Sequence, residues 1–457
     1  MKSFLQRCLP WLSAKPSPAP QPVVGAAAAM PDAERRAPTP PDQAQARTSA
    51  EATAISARRP LIAADGSVAG FEFRINEDMA RYLKRNTDAQ ARADRVAALL
   101  TAAQAIGQTG RIGFARMPAP WLVHAATQAE LGPGVMIALE SMPTVVQIPQ
   151  SSAAIEQAAL ALRAKGVQVG WGPDFDARIP PDFVLLRQGA NAMSTLLEAR
   201  GAWPAAWQAL PVVVTDISDV EELEMALYNG VAYACGVLER DSAPAANTSP
   251  VPPQVRRIGL LLNQLVAGAD TAVIVEEIKG DVGLSYRLLR LIHNASYAQL
   301  GSHASVEQAV LLLGRYELYR WLSMLLVDFA GSRRAGTALQ EATLWRSRLL
   351  ELIATEKRLS TPDQFFTLGL ASMLGQLLRI SDSEVASTLN LPTQARQALL
   401  EHTGPWHPYL DLVRRLEART LDLTVELSPL FRDSAHLLML SDQAWHWAAQ
   451  QIALGNG

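Results

Sequence analysis

Cysteine is nearly absent from this chain: two in 457 residues, Cys8 and Cys235, far apart and in unlike contexts. That argues against a disulfide framework and makes a reducing cytoplasm the expected setting. No apolar run approaches the ~18 residues of a membrane-spanning helix. The apolar residues at the start are broken by Gln6, Arg7 and Pro10, so the continuous core of a signal peptide is missing too. Phe4, Leu5, Leu9, Trp11 and Leu12 leave a short interfacial helix open beside the plainer reading of a frayed tail. There is no excess of charge of either sign. Forty-one Lys and Arg against 44 Asp and Glu give a formal net charge of −3. Nucleic-acid binding usually needs a strongly basic face, so none is expected. No phosphate loop, zinc spacing or Ser-His-Asp arrangement appears. None of the seven histidines is followed by Asp.

What is present is ordinary globular material, 49% hydrophobic and 19% charged, enough for two or three domains. Residues 1–57 are rich in Pro, Ala, Gln, Ser and Thr from Ser13 onward, have no sustained apolar period, and read as disordered. Over residues 58–240, β-prone runs at 68–73, 112–114, 135–139, 167–169, 183–186, 212–214 and 232–237 alternate with helical stretches. The helical stretches are 77–85, 90–105, 121–130, 153–165, 192–199 and 220–227. Such alternation implies a parallel sheet, and seven or so strands favour a barrel. About 180 residues is short for that fold, so a trimmed TIM-like (β/α) barrel is expected. Residues 241–253 are small, polar and Pro-rich and form a linker.

From residue 254 to 457 strand signals nearly vanish and helical stretches follow one another, giving a fold class of α/β plus all-α. Residues 281–315 organise this half. Leu284, Leu288, Leu289, Leu291 and Ile292 crowd one side of a helix, a loop from Asn294 to His303 follows, and Ser305 with Gln308 has capping-box spacing for the next helix. Thr361-Pro362 with Gln364, and Ser381 with Glu384, signal further helix starts.

The order of parts in the first domain resembles the EAL domain, the barrels that hydrolyse cyclic di-GMP. The resemblance runs through Ala57 to Ile62, Gly70-Phe71-Glu72-Phe73-Arg74, Met136 to Glu140, Gly166 to Phe175 and Gly230 to Val237. It implies a site where carboxylates and an Asn hold two divalent metals at the C-terminal ends of strands. Glu72, Glu140 and Asp174 match family carboxylates. The rest departs from the pattern. Pro173 stands for the first Asp of the Asp-Asp-Phe signature, and Ala115-Arg116 lies about where the metal-binding Asn belongs. Leu185-Leu186-Arg187 replaces Lys-x-Asp, Thr215-Asp216-Ile217-Ser218 replaces Glu-Lys-Val-Glu, and Cys235-Gly236-Val237 replaces Gln-Gly-Tyr. Two-metal catalysis needs nearly all its oxygen ligands, so hydrolysis is expected to be lost. Asp216 adds a charge, though not at a matching position. The plain reading of Glu72, Glu140 and Asp174 is hydrogen-bonded or solvated carboxylates without a ligand. Cys235 reads as a small strand-end residue.

The helical half closely resembles the HDOD domain, a bacterial signalling module related to HD phosphohydrolases. The residues that carry this are Leu288 to Tyr297, Ser305 to Gly314, Thr367 to Gly375 and Leu391 to Gly404. Where HD enzymes have a consecutive His-Asp pair of metal ligands, this chain reads Ser372-Met373. His402 and His407, with Gly404 and Pro405 between them, do not share a helix face. Trp321, Trp345, Trp406, Trp445 and Trp447 read as core or interface aromatics. A base-stacking platform would need a basic groove beside them, and Arg333, Arg334, Arg346 and Arg348 are the local candidates.

These readings lead to a non-catalytic cytoplasmic signalling scaffold that works through protein partners and carries no cofactor. A cyclic di-GMP receptor without hydrolysis, and a residual phosphodiesterase, stay open as alternatives.

Overall fold

The computed structural model describes residues 59–74, 89–128, 131–140, 152–175, 177–187, 198–238, 251–293, 305–328, 333–418, 430–431 and 434–455. The helices expected over 77–85 and most of 192–199 lie outside them, as do the N-terminal segment, most of the linker and the 294–304 loop. By their contacts the described residues divide into two compact units. One holds the barrel, residues 251–264 and everything from 319 onward; the other is residues 265–318.

Among the described residues eight strands close a barrel in sequence order. They are β1 (Arg59–Ala63), β2 (Val68–Arg74), β3 (Ile112–Pro118), β4 (Val135–Glu140), β5 (Gln168–Trp171), β6 (Val184–Arg187), β7 (Val212–Ile217) and β8 (Tyr233–Gly236). From β2 to β8 neighbours are parallel. β1 runs antiparallel to both β2 and β8 and closes the ring. The sequence pattern gave the other seven runs and missed β1. A strand of five residues with a proline, turned straight back by Asp65-Gly66-Ser67 without a helix, has no β/α alternation to betray it. That turn is held by Asp65, whose carboxylate accepts from the Ser67 amide at 3.0 Å and its hydroxyl at 2.7 Å. Between the strands run α1 (Ala89–Gly107), α2 (Leu122–Gln128), α3 (Ser152–Ala164), the short α4 (Ala205–Gln208) and α5 (Val220–Tyr228).

Strand side chains alternate between faces. The inward set, Leu61, Phe114, Met136, Ala138, Phe183, Leu185, Val213 and Cys235, makes one buried cluster. Cys235 is therefore core, and burial pushes its thiol pKa up. Two residues further along each strand the same face carries Arg116 after Phe114, Glu140 after Ala138 and Arg187 after Leu185. An apolar barrel floor thus passes directly into a charged mouth.

The helical half contains α6 (Pro253–Val266), α7 (Thr271–Lys279), α8 (Val282–His293), α9 (Val306–Asp328), α10 (Gly336–Glu356), α11 (Pro362–Leu378), α12 (Asp382–Thr388), α13 (Thr393–Arg396, continued by a π turn over Gln397–Glu401), α14 (His407–Ala418) and α15 (Ser434–Gly455). α9 is broken at Gly314, at φ 70° and ψ 171°, which separates the two helices that the sequence spacing predicts there. The Ser305–Gln308 and Ser381–Glu384 capping boxes both form. Thr361 makes no side-chain cap; Pro362 alone marks that helix start, because its missing N–H costs nothing in the first turn. In the smaller unit Arg315 anchors the end of α6, donating to the carbonyls of Ala269 at 2.7 Å and Leu265 at 2.8 Å.

α10 is buried on nearly all sides, as a helix central to a bundle must be. Trp345 on it stacks on Trp445 of α15, ring centroids 4.9 Å apart, and Trp445 meets Phe71 of β2 edge-on at 5.1 Å. Barrel and bundle share these aromatics as one core. The contact is extended by Arg111 donating to Glu341 at 2.7 Å and by Arg59 donating to the Ala418 carbonyl at 2.7 Å. The turn at Gly66, φ +80°, inserts against the start of α10, and the Ala338 amide donates to its carbonyl at 2.9 Å. Of the four arginines that suggested a basic patch, three are engaged in ion pairs: Arg333 with Glu224, Arg346 with Glu417 and Arg348 with Glu351. Trp321, Trp345 and Trp445 are buried, as core aromatics should be.

Candidate functional site

At the C-terminal ends of the barrel strands, the place where chemistry sits in such folds, the central group is a guanidinium. Arg116 projects inward from β3 and is fully buried. Its five N–H groups are all used. Nη1 donates to Glu72 Oε1 at 2.6 Å and to Asp216 Oδ1 at 2.9 Å; Nη2 donates to Asp216 Oδ2 at 2.8 Å and also to Glu140 Oε1. Nε donates to the same Glu140 oxygen at 2.8 Å. The Asp216 contact is the two-pronged fork that fits an arginine and a carboxylate. Asp216 also accepts from Arg74 Nη1 and Arg187 Nε, each at 3.3 Å. Three arginines therefore face three carboxylates and the cluster is neutral.

Neutrality explains how it survives burial. A charge taken out of water must be compensated by partners. Burial lowers the pKa of Arg116, but Glu72, Asp216 and Glu140 more than reverse this and hold it firmly protonated. Burial raises the Asp216 pKa, and the hydrogen bonds and charge of Arg116, with the charges of Arg74 and Arg187, carry it well below the usual carboxylate range. Asp216 reaches the cluster through an unusual backbone. It has φ +62°, and the β7–β8 register shifts between Val214 and Ile217. A non-glycine residue in that region costs about 1–2 kcal/mol, which the three guanidinium contacts offset.

The sequence-derived candidates separate here. Glu72 and Glu140 meet around Arg116. Asp174 is exposed on the turn after β5, and the hydrogen bonds of Arg116 go elsewhere. Asp216, discounted because it does not match the family position, is a full member. Arg116, read only as the residue standing where an Asn should be, is the centre. A signal for it exists in the sequence. Period-two spacing from Phe114 aims Arg116 into the barrel, and an inward arginine requires carboxylates.

The residues present do not fit a pair of divalent metals. Glu72 Oε1, Glu140 Oε1 and both oxygens of Asp216 already receive the guanidinium protons. A divalent ion ~4 Å from that guanidinium would be repelled by about 8 kcal/mol at an effective dielectric of ~20. Among the described residues no group of three or more His, Cys, Asp or Glu is arranged to hold a metal ion.

The helical half has a second buried guanidinium at the position of interest. Ser372, where the HD pair would begin, accepts from Arg346 Nη1 at 3.1 Å, while Arg346 Nη2 donates to Glu417. Arg346 is fully buried and Ser372 and Glu417 nearly so. The His402 and His407 rings approach edge-on with centroids 5.8 Å apart. No helix of the described residues is long and apolar enough to cross a membrane.

Comparison with known proteins locates these pieces. The HDOD domain model matches residues 249–402. The uncharacterized protein YuxH of Bacillus subtilis is 30% identical over 178 residues, 38% of this chain and 43% of YuxH. The cyclic di-GMP phosphodiesterase CdgJ of Vibrio cholerae is 31% identical over 133 residues, 29% of this chain and 31% of CdgJ. The matches span less than half the length of either relative. Among solved structures, an EAL domain protein from Listeria monocytogenes is similar at 14% identity and a TM-score of 0.31, over 43% of this chain and 92% of its own. The FimX EAL domain of Pseudomonas aeruginosa, solved with c-di-GMP, gives 14% and 0.27, over 39% of this chain and 86% of its own. Scores at that level describe a loose overlap. Residues 249–402 belong to the HDOD domain family, and the motif order and closed barrel that precede them support an EAL–HDOD architecture.

Proposed function

We propose that this chain is a non-catalytic signalling protein of a cyclic di-GMP-linked system, acting through contacts with partner proteins. The observation that carries the reading is the Arg116 guanidinium among Glu72, Glu140 and Asp216. Hydrolysis of a phosphodiester by two metals needs open carboxylates and an activated water; here Glu72 Oε1, Glu140 Oε1 and both Asp216 oxygens accept from a cation that cannot activate one. The same reading divides the chain into a barrel over 58–240, a linker over 241–253 and a helical domain over 254–457. Ser372 and Arg346 in place of HD ligands support an equally non-catalytic helical half.

The test is incubation of the full chain with cyclic di-GMP and Mg²⁺ or Mn²⁺. No linear dinucleotide is expected. Metal-dependent turnover that Glu72→Ala abolishes would overturn the proposal.

A second reading, a cyclic di-GMP receptor without hydrolysis, draws on Arg74 and Arg187. Their side chains are 31% and 50% exposed at the mouth. Calorimetry separates the two: micromolar binding weakened by Arg187→Ala favours the receptor, and no heat with folded protein favours the scaffold.

A further inference from the structure

We propose that the apolar groove of the smaller unit, residues 265–318, is a docking surface for a segment of this same chain, residues 4–12, which seats an aliphatic side chain in the groove's cavity. The inference is independent of whether the barrel hydrolyses or binds a nucleotide.

The cavity opens where α9 breaks at Gly314. Its wall is mainly aliphatic, made by Leu265, Ile274, Val310, Leu311 and Leu318 with Gly314. Thr271 and Arg315 are the polar members, and Arg315 is held by the Ala269 and Leu265 carbonyls. Leu311 is 71% exposed, so the cavity lies at the surface. Val266, Val273, Leu312 and Tyr316, neighbours of the wall residues in sequence, are exposed as well. Exposed apolar side chains gathered in one small unit mark an interaction surface. The cavity holds about 70 Å³, roughly half the ~150 Å³ apolar space that accepts a benzene ring. It therefore takes the end of one aliphatic side chain rather than a free aromatic ligand.

The same chain carries a matching occupant. Phe4, Leu5, Cys8 and Leu9 have the spacing that puts apolar side chains on one face of a helical turn, with Ser3, Gln6 and Arg7 opposite. That is the pattern of a segment that docks in an apolar groove. Charge agrees. Lys2, Arg7 and Lys15 are basic, and the first acidic residue is Asp32. Residues 265–318 carry six acidic side chains against four basic ones, so the segment and the unit attract. Length agrees too. At the scaling of polar linkers, a chain the length of residues 13–58 spans roughly 35–40 Å. Docking within one chain then competes well with docking between chains.

Cys8 lies inside the segment and is its native probe, because the other cysteine, Cys235, is buried in the barrel core. The experiment uses the full chain at low micromolar concentration with mild oxidant. In Leu311→Cys, Cys8 should form a disulfide with the introduced thiol within one chain, identified by the mass of the linked peptides. Leu160→Cys, 51% exposed on α3, is the control. It should react about tenfold more slowly, the factor that burial of one leucine side chain supplies. Adding Leu5→Asp and Leu9→Asp to Leu311→Cys should bring its rate down to the control's. Should Leu311→Cys fail to fold, Leu312→Cys, at 42% exposure, takes its place. A second readout needs no disulfide. A bimane label on Cys8 of the otherwise unaltered chain should emit at shorter wavelength than the same label in 6 M urea, and Leu311→Glu should abolish the difference while circular dichroism stays unchanged. Equal rates at the Leu311 and Leu160 positions would overturn the proposal. A disulfide that forms mainly between chains, at a rate rising with concentration, would assign the groove to a second copy instead. A bimane shift that needs anionic lipid vesicles and survives Leu311→Glu would assign the segment to a membrane surface.

Discussion

Gly66 joins two parts of the fold that the sequence presents as separate domains, and its replacement measures how firmly they are joined. The residue sits at φ +80° in the β1–β2 turn. A Cβ built there would lie 1.6 Å from the carbonyl oxygen of Arg334. No rotamer change relieves an overlap with backbone, so Gly66→Ala must either shift the turn or open the start of α10. Three terms follow. The positive φ costs about 1–2 kcal/mol for any side chain. Loss of the hydrogen bond from the Ala338 amide to the Gly66 carbonyl adds about 1 kcal/mol. Displacement of the turn from α10 adds about 1 kcal/mol of lost packing, for a total near 3–4 kcal/mol. Gly110 is a matched control: φ is +82°, and nothing lies within 4 Å of its would-be Cβ. Gly110→Ala should cost only the backbone term, about 1–2 kcal/mol. Urea denaturation of both variants, followed by Trp emission and by circular dichroism, gives the difference. Equal losses within about 0.5 kcal/mol would show that the turn does not bind the bundle, and the argument for a shared core would fall.

Two further predictions concern the buried arginines. The folded pKa of Asp216 is depressed, so its contribution to stability is complete above the unfolded value near 3.9 and disappears as pH falls through the folded value. Asp216→Asn, chosen because Asn tolerates φ +62°, should cost about 3 kcal/mol at neutral pH; the gap to wild type should stay constant down to about pH 5 and narrow below about pH 4. A gap that instead widens on acidification would refute the assignment. In the bundle, Arg346→Met takes the guanidinium away from the buried Glu417 carboxylate and should cost about 3–5 kcal/mol, whereas Arg346→Met with Glu417→Leu should recover most of it. Additive losses in that double-mutant cycle would show that the pair is not coupled.

The chain's local patterns are legible because they are local. Short β-prone runs gave seven of the eight strands, 3.6-residue spacing gave the helices of the C-terminal half, and Ser305 and Ser381 announced their caps three residues ahead. Ordered motifs such as Gly70-Phe71-Glu72 and Leu288 to Tyr297 placed an EAL-like barrel before an HDOD domain, since a motif is read without knowing its partners. β1 escaped because a hairpin strand has no helix to mark it. The tertiary structure decided what no window of sequence holds. Glu72, Arg116, Glu140 and Asp216 lie on four strands and become one cluster only when the barrel closes. A buried charge is a statement about its surroundings, and the surroundings of Arg116 are set by strand register, by the inward face that follows Phe114, and by the φ +62° turn that brings Asp216 across. The sequence offered Glu72 and Glu140 as separate candidates; closure of the barrel put the Arg116 guanidinium between them.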